Sequence, residues 1–244
     1  MNSKILILES AGSSNTESMS FAKNGNVAEG SIVWVKNQTK GKGQSNKKWF
    51  SKPNENLTFS ILFYPEFLPL EHQFALSKMA AVSVSHVLKK YCKNISIKWP
   101  NDIYVGNNKI CGILIENSLH KDKINICVIG IGVNINQTEF PESIPNPTSL
   151  KLEKGKDFKT EEILSALQKE LKKNYNALKK LKFDHFEAPY DRILYKKNQF
   201  IEIRIKNQIV SALIEYVDSN GFLHVQINGK KQLFTVGDIE WIIK

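Results

Sequence analysis

Lys98-Trp99-Pro100-Asn101-Asp102-Ile103-Tyr104-Val105-Gly106-Asn107-Asn108-Lys109-Ile110-Cys111-Gly112-Ile113-Leu114-Ile115-Glu116 is the stretch that decides the fold class. Ser96 to Trp99 reads as a short strand that Pro100 stops, because proline brings no N–H to a ladder. Ile103–Val105 and Lys109–Glu116 then flank Gly106-Asn107-Asn108, a hairpin signal. Short strands joined by tight turns, with no long crossover between them, predict an antiparallel or mixed sheet.

The pattern continues outward. Ile124–Asn136 is an apolar strand interrupted by Gly130 and Gly132. On the other side, Leu70, Phe74, Ser77, Ala81, Val84 and Leu88 keep the spacing of one buried helical face. Before that helix, Leu57–Tyr64 and Gly30–Val35 read as strands, separated by a polar loop over Lys36–Lys48. The run from Met1 to Leu8 reads as a first strand. It is not a signal peptide, since no small-residue cleavage site follows. After a loop holding Pro141, Pro145 and Pro147, a helix with Thr160 as N-cap is expected. Its inner face is Leu164, Leu167, Leu171, Tyr175, Leu178 and Lys182. From about Pro189 the period changes to short strands: Ile201–Ile205, Ile209–Val217, Phe222–Ile227 and Gln232–Val236. Ser219-Asn220-Gly221 and Asn228-Gly229 are the turns between the later ones. The expected class is therefore α+β, with a catalytic-size domain over 1–188 and a small β-barrel over 189–244.

Composition narrows the function classes. Apolar residues make up 41% of the chain, enough for a real core. No apolar run approaches the length of a membrane span, so a soluble, cytoplasmic protein is expected. Cys92, Cys111 and Cys127 are odd in number and lack metal-ligand spacing, which argues against a disulfide framework or a zinc site. The formal charge is +10. Nucleic acid, acidic surfaces and phosphate-bearing ligands all fit that balance. However, the lysines are dispersed, only Arg192 and Arg204 are arginines, and the tail lacks a clear row of exposed aromatics. A nucleic-acid-binding protein is therefore the weaker reading.

Four segments carry chemistry. Gln38-Thr39-Lys40-Gly41-Lys42-Gly43-Gln44-Ser45-Asn46-Lys47-Lys48-Trp49 is a long basic loop. Its glycines permit positive φ and close approach of backbone N–H groups to an anion. It is not a P-loop, since GxxxxGK[ST] is absent. Lys98-Trp99-Pro100-Asn101-Asp102 puts polar groups at the rim of a sheet. Lys109 opens an apolar strand that Gly112 interrupts, as at a bulge or a ligand approach. Gly130-Ile131-Gly132-Val133-Asn134-Ile135-Asn136 is a lone GxG without a dinucleotide fingerprint, and by itself reads as packing.

In this order the four segments resemble the biotin–protein ligase family, whose pattern runs through GRGR or GRGQ and Trp, KWPND, KxxGIL-E and GxGxN-N. Here they read GKGQ…KKW, KWPND, KICGILIE and GIGVNIN. Ser13-Ser14-Asn15 matches the family's Ser-Thr-Asn segment. Gly221-Phe222-Leu223 and Gly237-Asp238-Ile239-Glu240 resemble its SH3-like C-terminal domain. The likeness covers nearly the whole chain.

The resemblance implies a fold, an activity and a set of roles. The fold would be a class II synthetase-like catalytic domain followed by the SH3-like domain. The activity would be formation of biotinyl-5'-AMP from biotin and ATP, with Mg2+, and transfer of biotin to a lysine of a biotin carboxyl carrier domain. Ser13, Ser14, Asn15 and Gln38 would line the biotin pocket. Gly41, Lys42, Gly43 and Gln44 would form the loop that closes over the adenylate. Lys109 would meet the biotin carboxylate and the α-phosphate, and Gly112 would offer backbone groups. Asn101, Asp102 and Asn134 would lie beside the nucleotide and its magnesium, with Trp49 stacked near adenine. Lys109, Lys42 and Asp102 are the catalytic candidates. Lys42 replaces the family's arginine, which either loosens retention of the adenylate or reflects composition. With Ser13-Ser14-Asn15 so near Met1, no DNA-binding domain and no operator binding are expected. Lipoate–protein ligase or octanoyltransferase activity remains the nearest alternative, and a homodimer is left open.

Overall fold

A computed structural model describes residues 3–25, 27–180 and 184–243. The first strand begins at Ile5 rather than Met1, and Met1 and Asn2 lie outside the described residues. The larger sheet is built from β1 (Ile5–Ala11), β2 (Ile32–Gln38), β3 (Leu57–Phe63), β4 (Ile95–Lys98), β5 (Asp102–Val105), β6 (Asn108–His120) and β7 (Lys123–Val133). Their order is β1-β2-β3-β7-β6-β5-β4. Only β1 and β2 run parallel, joined by helix α1 (Ser14–Lys23), and the sheet is accordingly mixed.

Side-chain alternation gives this sheet two unlike faces. Leu57, Phe59, Ile61 and Phe63 of β3 and Cys127, Ile129, Ile131 and Val133 of β7 point into the main core. There they meet α2 (Phe74–Leu88) and α4 (Thr160–Leu178), with Tyr175 stacked on Phe63 at 3.9 Å between ring centroids. Thr58, Ser60, Gly130 and Gly132 take the opposite face, where α1 lies and where the chemistry collects.

Two helices differ from expectation. Leu70 falls in a separate 3-10 turn, and α2 is buried nearly all round, because α4, the sheet and the C-terminal elements enclose it. In α4 the N-cap position is Lys159, with Thr160 the first helical residue. The predicted inner face from Leu164 to Leu178 is buried, and Lys182 lies outside the described residues. A short helix, α3 (Leu150–Lys154), capped by the Ser149 side chain, fills part of the proline loop.

Helix α5 (Asp184–Arg192) crosses the expected domain boundary and holds Pro189 in its interior. Beyond it, β8 (Phe200–Ile205), β9 (Gln208–Val217), β10 (Leu223–Ile227), β11 (Lys230–Phe234) and β12 (Ile239–Trp241) form a second, antiparallel sheet ordered β11-β10-β9-β8-β12. Among the described residues no pairing joins β11 to β12, so the expected small β-barrel is here an open antiparallel sheet. On its surface Phe200 (69% exposed) and Tyr216 (43%) lie outside, Phe200 paired with Leu213 and Tyr216 stacked on His224.

The C-terminal part of the chain is tied to the rest through β4, Trp99 and α2. Ile97 N–H donates to Ile193 O at 2.8 Å and Tyr195 N–H donates to Ile97 O at 2.8 Å. The buried Trp99 indole donates to Gly221 O at 2.9 Å. The buried Lys78 ammonium donates to Val217 O at 3.0 Å and pairs with Glu187 of α5. Gly221 sits at φ 89°, and a Cβ there would lie 2.4 Å from the Phe74 ring, which is why the turn needs glycine.

Candidate active site

One cross-strand row organises the site. Lys98 pairs with Asp102, Asp102 with Gly112, Gly112 with Gly132, and Gly132 with Thr58. Paired residues share a face, so two charged side chains are followed by a gap where two glycines present none. The Trp49 indole fills that gap. A Cβ on Gly132 would lie 2.4 Å from the indole, and one on Gly112 would lie 3.0 Å from it.

Lys109 reaches the same face by a break in alternation. Standing three residues before Gly112, it would point away in a regular strand. The register between β5 and β6 shifts between Ile103 and Tyr104, so Tyr104 pairs with Lys109 while Ile103 pairs with Cys111. That bulge absorbs Ile110 and turns Lys109 to the site face, a known use of bulges beside functional groups. Lys109 Nζ lies 2.6 Å from Asp102 Oδ1, and the two side chains are 27% and 14% exposed. The same ammonium is 5.6 Å from the Trp49 ring centroid, within cation–π range.

A second cluster lies beside it on the site face. Ser60 Oγ is 2.8 Å from Ser14 Oγ and 2.6 Å from Asn15 Oδ1. Asn15 Nδ2 donates to Leu114 O at 3.2 Å and to Glu116 Oε2 at 2.7 Å. Gly130 is glycine for this reason, since a Cβ there would sit 2.0 Å from Asn15 Oδ1. The Gln38 side-chain oxygen accepts from Ser14 N–H at 2.8 Å, capping α1 in place of Ser13, which makes no side-chain cap bond. The GxG segment is packing, as read, and what it packs is Asn15 and Trp49.

The basic loop folds on itself. Trp49 N–H donates to Gly41 O at 3.0 Å and Gly43 N–H donates to Lys47 O at 2.7 Å. Neither glycine has positive φ. Gly41 is needed because a Cβ would lie 2.3 Å from Trp49 O. The close approach that Gly41 permits is here of the chain to itself. Gln44 opens a short 3-10 turn, and Lys42 is exposed on the loop. Among the described residues no ion pair joins Lys42 to the Lys109–Asp102 pair.

Asn101 and Asn134 anchor backbone. Asn101 Nδ2 donates to Ile113 O at 2.8 Å, and Asn134 Nδ2 donates to Thr148 O at 2.9 Å. Asn134 Oδ1 is buried without a protein partner, and so are the indole N–H groups of Trp49 and Trp241. Buried polar atoms of this kind call for a partner. An oxygen-rich ligand could take the donors and an amino-bearing one the acceptor. Cys111 and Cys127 are buried, which pushes their thiols well above the usual range and leaves them inert.

Sequence reasoning missed Ser60, Glu116, Lys98 and Trp241 as members of this region. Ser60 had a signal, because Thr58 and Ser60 alternate with apolar residues in a buried strand. Lys98 is brought in by pairing with Asp102, Glu116 by its hydrogen bond from Asn15, and Trp241 by its approach to Lys98.

This arrangement is shared with known proteins. Residues 9–134 match the Biotin/lipoate A/B protein ligase family. The chain belongs to that family. It is 32% identical over 154 residues to the bifunctional ligase/repressor BirA of Bacillus spizizenii, covering 62% of this chain and 47% of that protein. It is 26% identical over 149 residues to the biotin–[acetyl-CoA-carboxylase] ligase of Mycobacterium tuberculosis, covering 59% and 53%. The chain thus spans about half the length of these curated relatives. Among solved structures, the biotin protein ligase of Aquifex aeolicus in complex with biotin and ATP superposes with a TM-score of 0.82 at 26% identity, covering 99% of each chain. Membership in the biotin/lipoate family fits the site's makeup of one ammonium–carboxylate pair, a polar cluster and a basic loop. Among the described residues no helix is long and apolar enough to cross a membrane. No cluster of three His, Cys, Asp or Glu side chains stands ready to hold a metal among those residues.

Proposed function

We propose that this protein is an ATP-dependent biotin–protein ligase. It joins biotin to ATP as biotinyl-5'-AMP and then transfers biotin to the ε-amine of a lysine on a biotin carboxyl carrier domain of a biotin-dependent carboxylase. The observation that carries this reading is the bulge that turns Lys109 onto Asp102 beneath Trp49. Ser14, Asn15 and Gln38, together with Ser60, supply donors and acceptors suited to a ureido ring. Such a polar cluster is poor lining for an apolar lipoyl or octanoyl chain.

Biotin's carboxylate and the phosphates of ATP repel one another. Lys109, with Lys42 of the loop, offsets that repulsion as a carboxylate oxygen attacks the α-phosphorus and pyrophosphate departs. Magnesium would come with ATP, Asp102 is the carboxylate that would hold it, and it would offset phosphate charge. The mixed anhydride that forms must be shielded from water, and the loop over Gly41–Gln44 with Trp49 is the segment that closes on it. Asp102 then orients or deprotonates the incoming lysine. Residues 1–188 carry this chemistry, residues 189–244 form the appended domain, and the protein works in the cytoplasm.

The test is ATP-dependent transfer of labelled biotin to a carrier domain, with lipoate and octanoate in parallel and Lys109→Ala as control. Transfer of biotin alone, lost in the variant, is expected. Transfer of lipoate or octanoate instead overturns the substrate.

A further inference from the structure

Asn136, which closes the Gly130–Asn136 segment, takes no part in the chemistry above. Its side chain fixes Phe158 instead. Nδ2 donates to Phe158 O at 2.9 Å, and Oδ1 accepts from Phe158 N–H at 2.9 Å. Two residues earlier Asn134 holds Thr148 O, and Thr148 N–H donates to Lys109 O at 2.9 Å. The segment from Thr148 to Phe158 is thus tied at one end to the strand that carries Lys109 and at the other to the chain just past β7. Between these ties it carries α3, and it walls a basic cleft of about 620 Å3 together with the turn after α2 and the start of α4. Half-buried Tyr91 and Phe158 line the cleft and meet edge to face, 5.7 Å between ring centroids. Exposed Lys90, Lys154 and Lys156 surround them, with Lys156 Nζ 5.5 Å from the Phe158 ring centroid. Lys151 pairs with Asp157 at 2.8 Å and Lys159 with Glu162 at 3.4 Å, whereas among the described residues Lys90, Lys154 and Lys156 pair with no carboxylate. The negative ends of α2 and α3 account for Lys90 and Lys154 but not for Lys156. An aromatic centre inside a rim of unpaired charge is the make-up of a docking surface.

Charge selects the occupant. Unpaired lysines call for carboxylates or phosphates. Asp157 and Glu162 line the same cleft, and they repel a continuous row of phosphates. A folded protein can set carboxylates against the lysines and neutral groups against those two acids. The cleft also lies within reach of the site. Helix α3 advances about 1.5 Å per residue, so Lys154 stands roughly 10 Å beyond Thr148, the residue bonded to Lys109. A domain of about 100 residues has a radius of gyration of about 13 Å and can cover both. We propose that the acceptor carrier domain docks an acidic surface on the cleft bounded by Lys90, Lys154 and Lys156, and so presents its lysine to the site at Lys109. The cleft adds no chemical step. It draws the carrier in by electrostatic attraction and sets its orientation. This proposal rests on the biotin–protein ligase reading and deepens it by giving the protein partner its place.

The test compares three full-length chains, each checked for folding by circular dichroism. They are the unaltered chain, a cleft variant with Lys90→Glu, Lys154→Glu and Lys156→Glu, and a control with Lys23→Glu, Lys121→Glu and Lys123→Glu. The control changes net charge equally at exposed lysines of other elements, two of them at the end of β6 and β7 remote from Lys109. Adenylation is read by biotin-dependent pyrophosphate exchange. Transfer without docking is read with hydroxylamine as a small acceptor, and docking by kcat/KM for the carrier domain of a biotin-dependent carboxylase at low and high salt. The cleft variant is expected to lose about tenfold or more in kcat/KM for the carrier at low salt, through KM. Its exchange and its transfer to hydroxylamine should stay within about twofold, and so should every activity of the control. High salt should bring the unaltered chain toward the cleft variant. Equal carrier kinetics in the cleft variant and the unaltered chain overturn the proposal, as does an equal loss in the control or a parallel loss with hydroxylamine. Binding of single-stranded RNA that the cleft variant loses while carrier transfer is unchanged assigns the cleft to nucleic acid and overturns it too. No biotin-dependent exchange by the unaltered chain refutes the biotin reading and this proposal with it, whereas normal exchange with cleft-independent carrier transfer refutes this proposal alone.

Discussion

Gly132→Ala tests the seating of Trp49 directly. The added methyl would lie 2.4, 2.6 and 2.7 Å from three atoms of the indole, well inside van der Waals contact. The strand beneath is fixed by ladders to β3 and β6, so the ring must move. A fully buried tryptophan removes roughly 150–250 Å2 from water, and Trp49 is half-buried, so its seating contributes about 2–3 kcal/mol. Losing it would raise the unseated fraction of the loop roughly 30- to 150-fold. The main core lies on the other face of the sheet, so the melting temperature should change little. Trypsin cleavage between Lys40 and Lys48 should rise at least about tenfold, and tryptophan emission should shift to the red. Released biotinyl-AMP should hydrolyse faster. The control is a cycle with Trp49→Ala, in whose background Gly132→Ala should add less than about 0.5 kcal/mol. Unchanged protease protection in Gly132→Ala, or an additive effect in the cycle, would refute the reasoning.

Gly130→Ala should act on the polar cluster instead, since its methyl would lie 2.0 Å from Asn15 Oδ1; biotin affinity measured by calorimetry should fall about tenfold or more, with ATP binding retained. Asp102→Asn should cost Lys109 its partner and slow transfer from preformed adenylate at least tenfold in a single-turnover assay; near-complete activity would remove Asp102 as a base. Burial lowers the Lys98 ammonium to about 8 from 10.5, against the attraction of Asp102 and with the repulsion of Lys109 and Lys47. The unfolded chain then binds more protons between those values. Stability should rise from pH 8 to 10.5 by at most about 1.4 kcal/mol per pH unit from this group, and urea titrations of Lys98→Met should lack that rise. Burial alone would raise the Asp218 carboxyl, but hydrogen bonds from His224 and from the N–H groups of Phe222 and Asn220 hold it below its ordinary value. Its contribution is present above pH 4 and lost as pH falls through the lowered pKa, so Asp218→Asn should flatten the acid limb of the stability curve.

Much of the fold was legible because period and punctuation are local properties. The hairpin at Gly106-Asn107-Asn108, the α4 face and the late turns to short strands all follow from residues near one another in sequence. The breadth of burial around α2 was not legible, because it depends on α4, α5 and the C-terminal sheet arriving from far along the chain. The open C-terminal sheet escaped for a similar reason, since spacing yields strands but not which edges meet.

At the site, the sequence by itself determined which groups are present: lysines and glycines in the basic loop, Lys109 and Asp102 on strands of one hairpin, and a GxG in a buried strand. Their side-chain chemistry does not depend on what lies nearby. Only the tertiary structure decided what they do together. Strict alternation would put Lys109 and Gly112 on opposite faces, and a one-residue bulge, set by pairing between β5 and β6, brings them to one face. The glycines at 112, 130 and 132 are defined by Trp49 and Asn15, which come from distant segments and need the space a side chain would fill. Spacing fixes composition and period, whereas register and close approach are relations between strands, and these exist only once the sheet has formed.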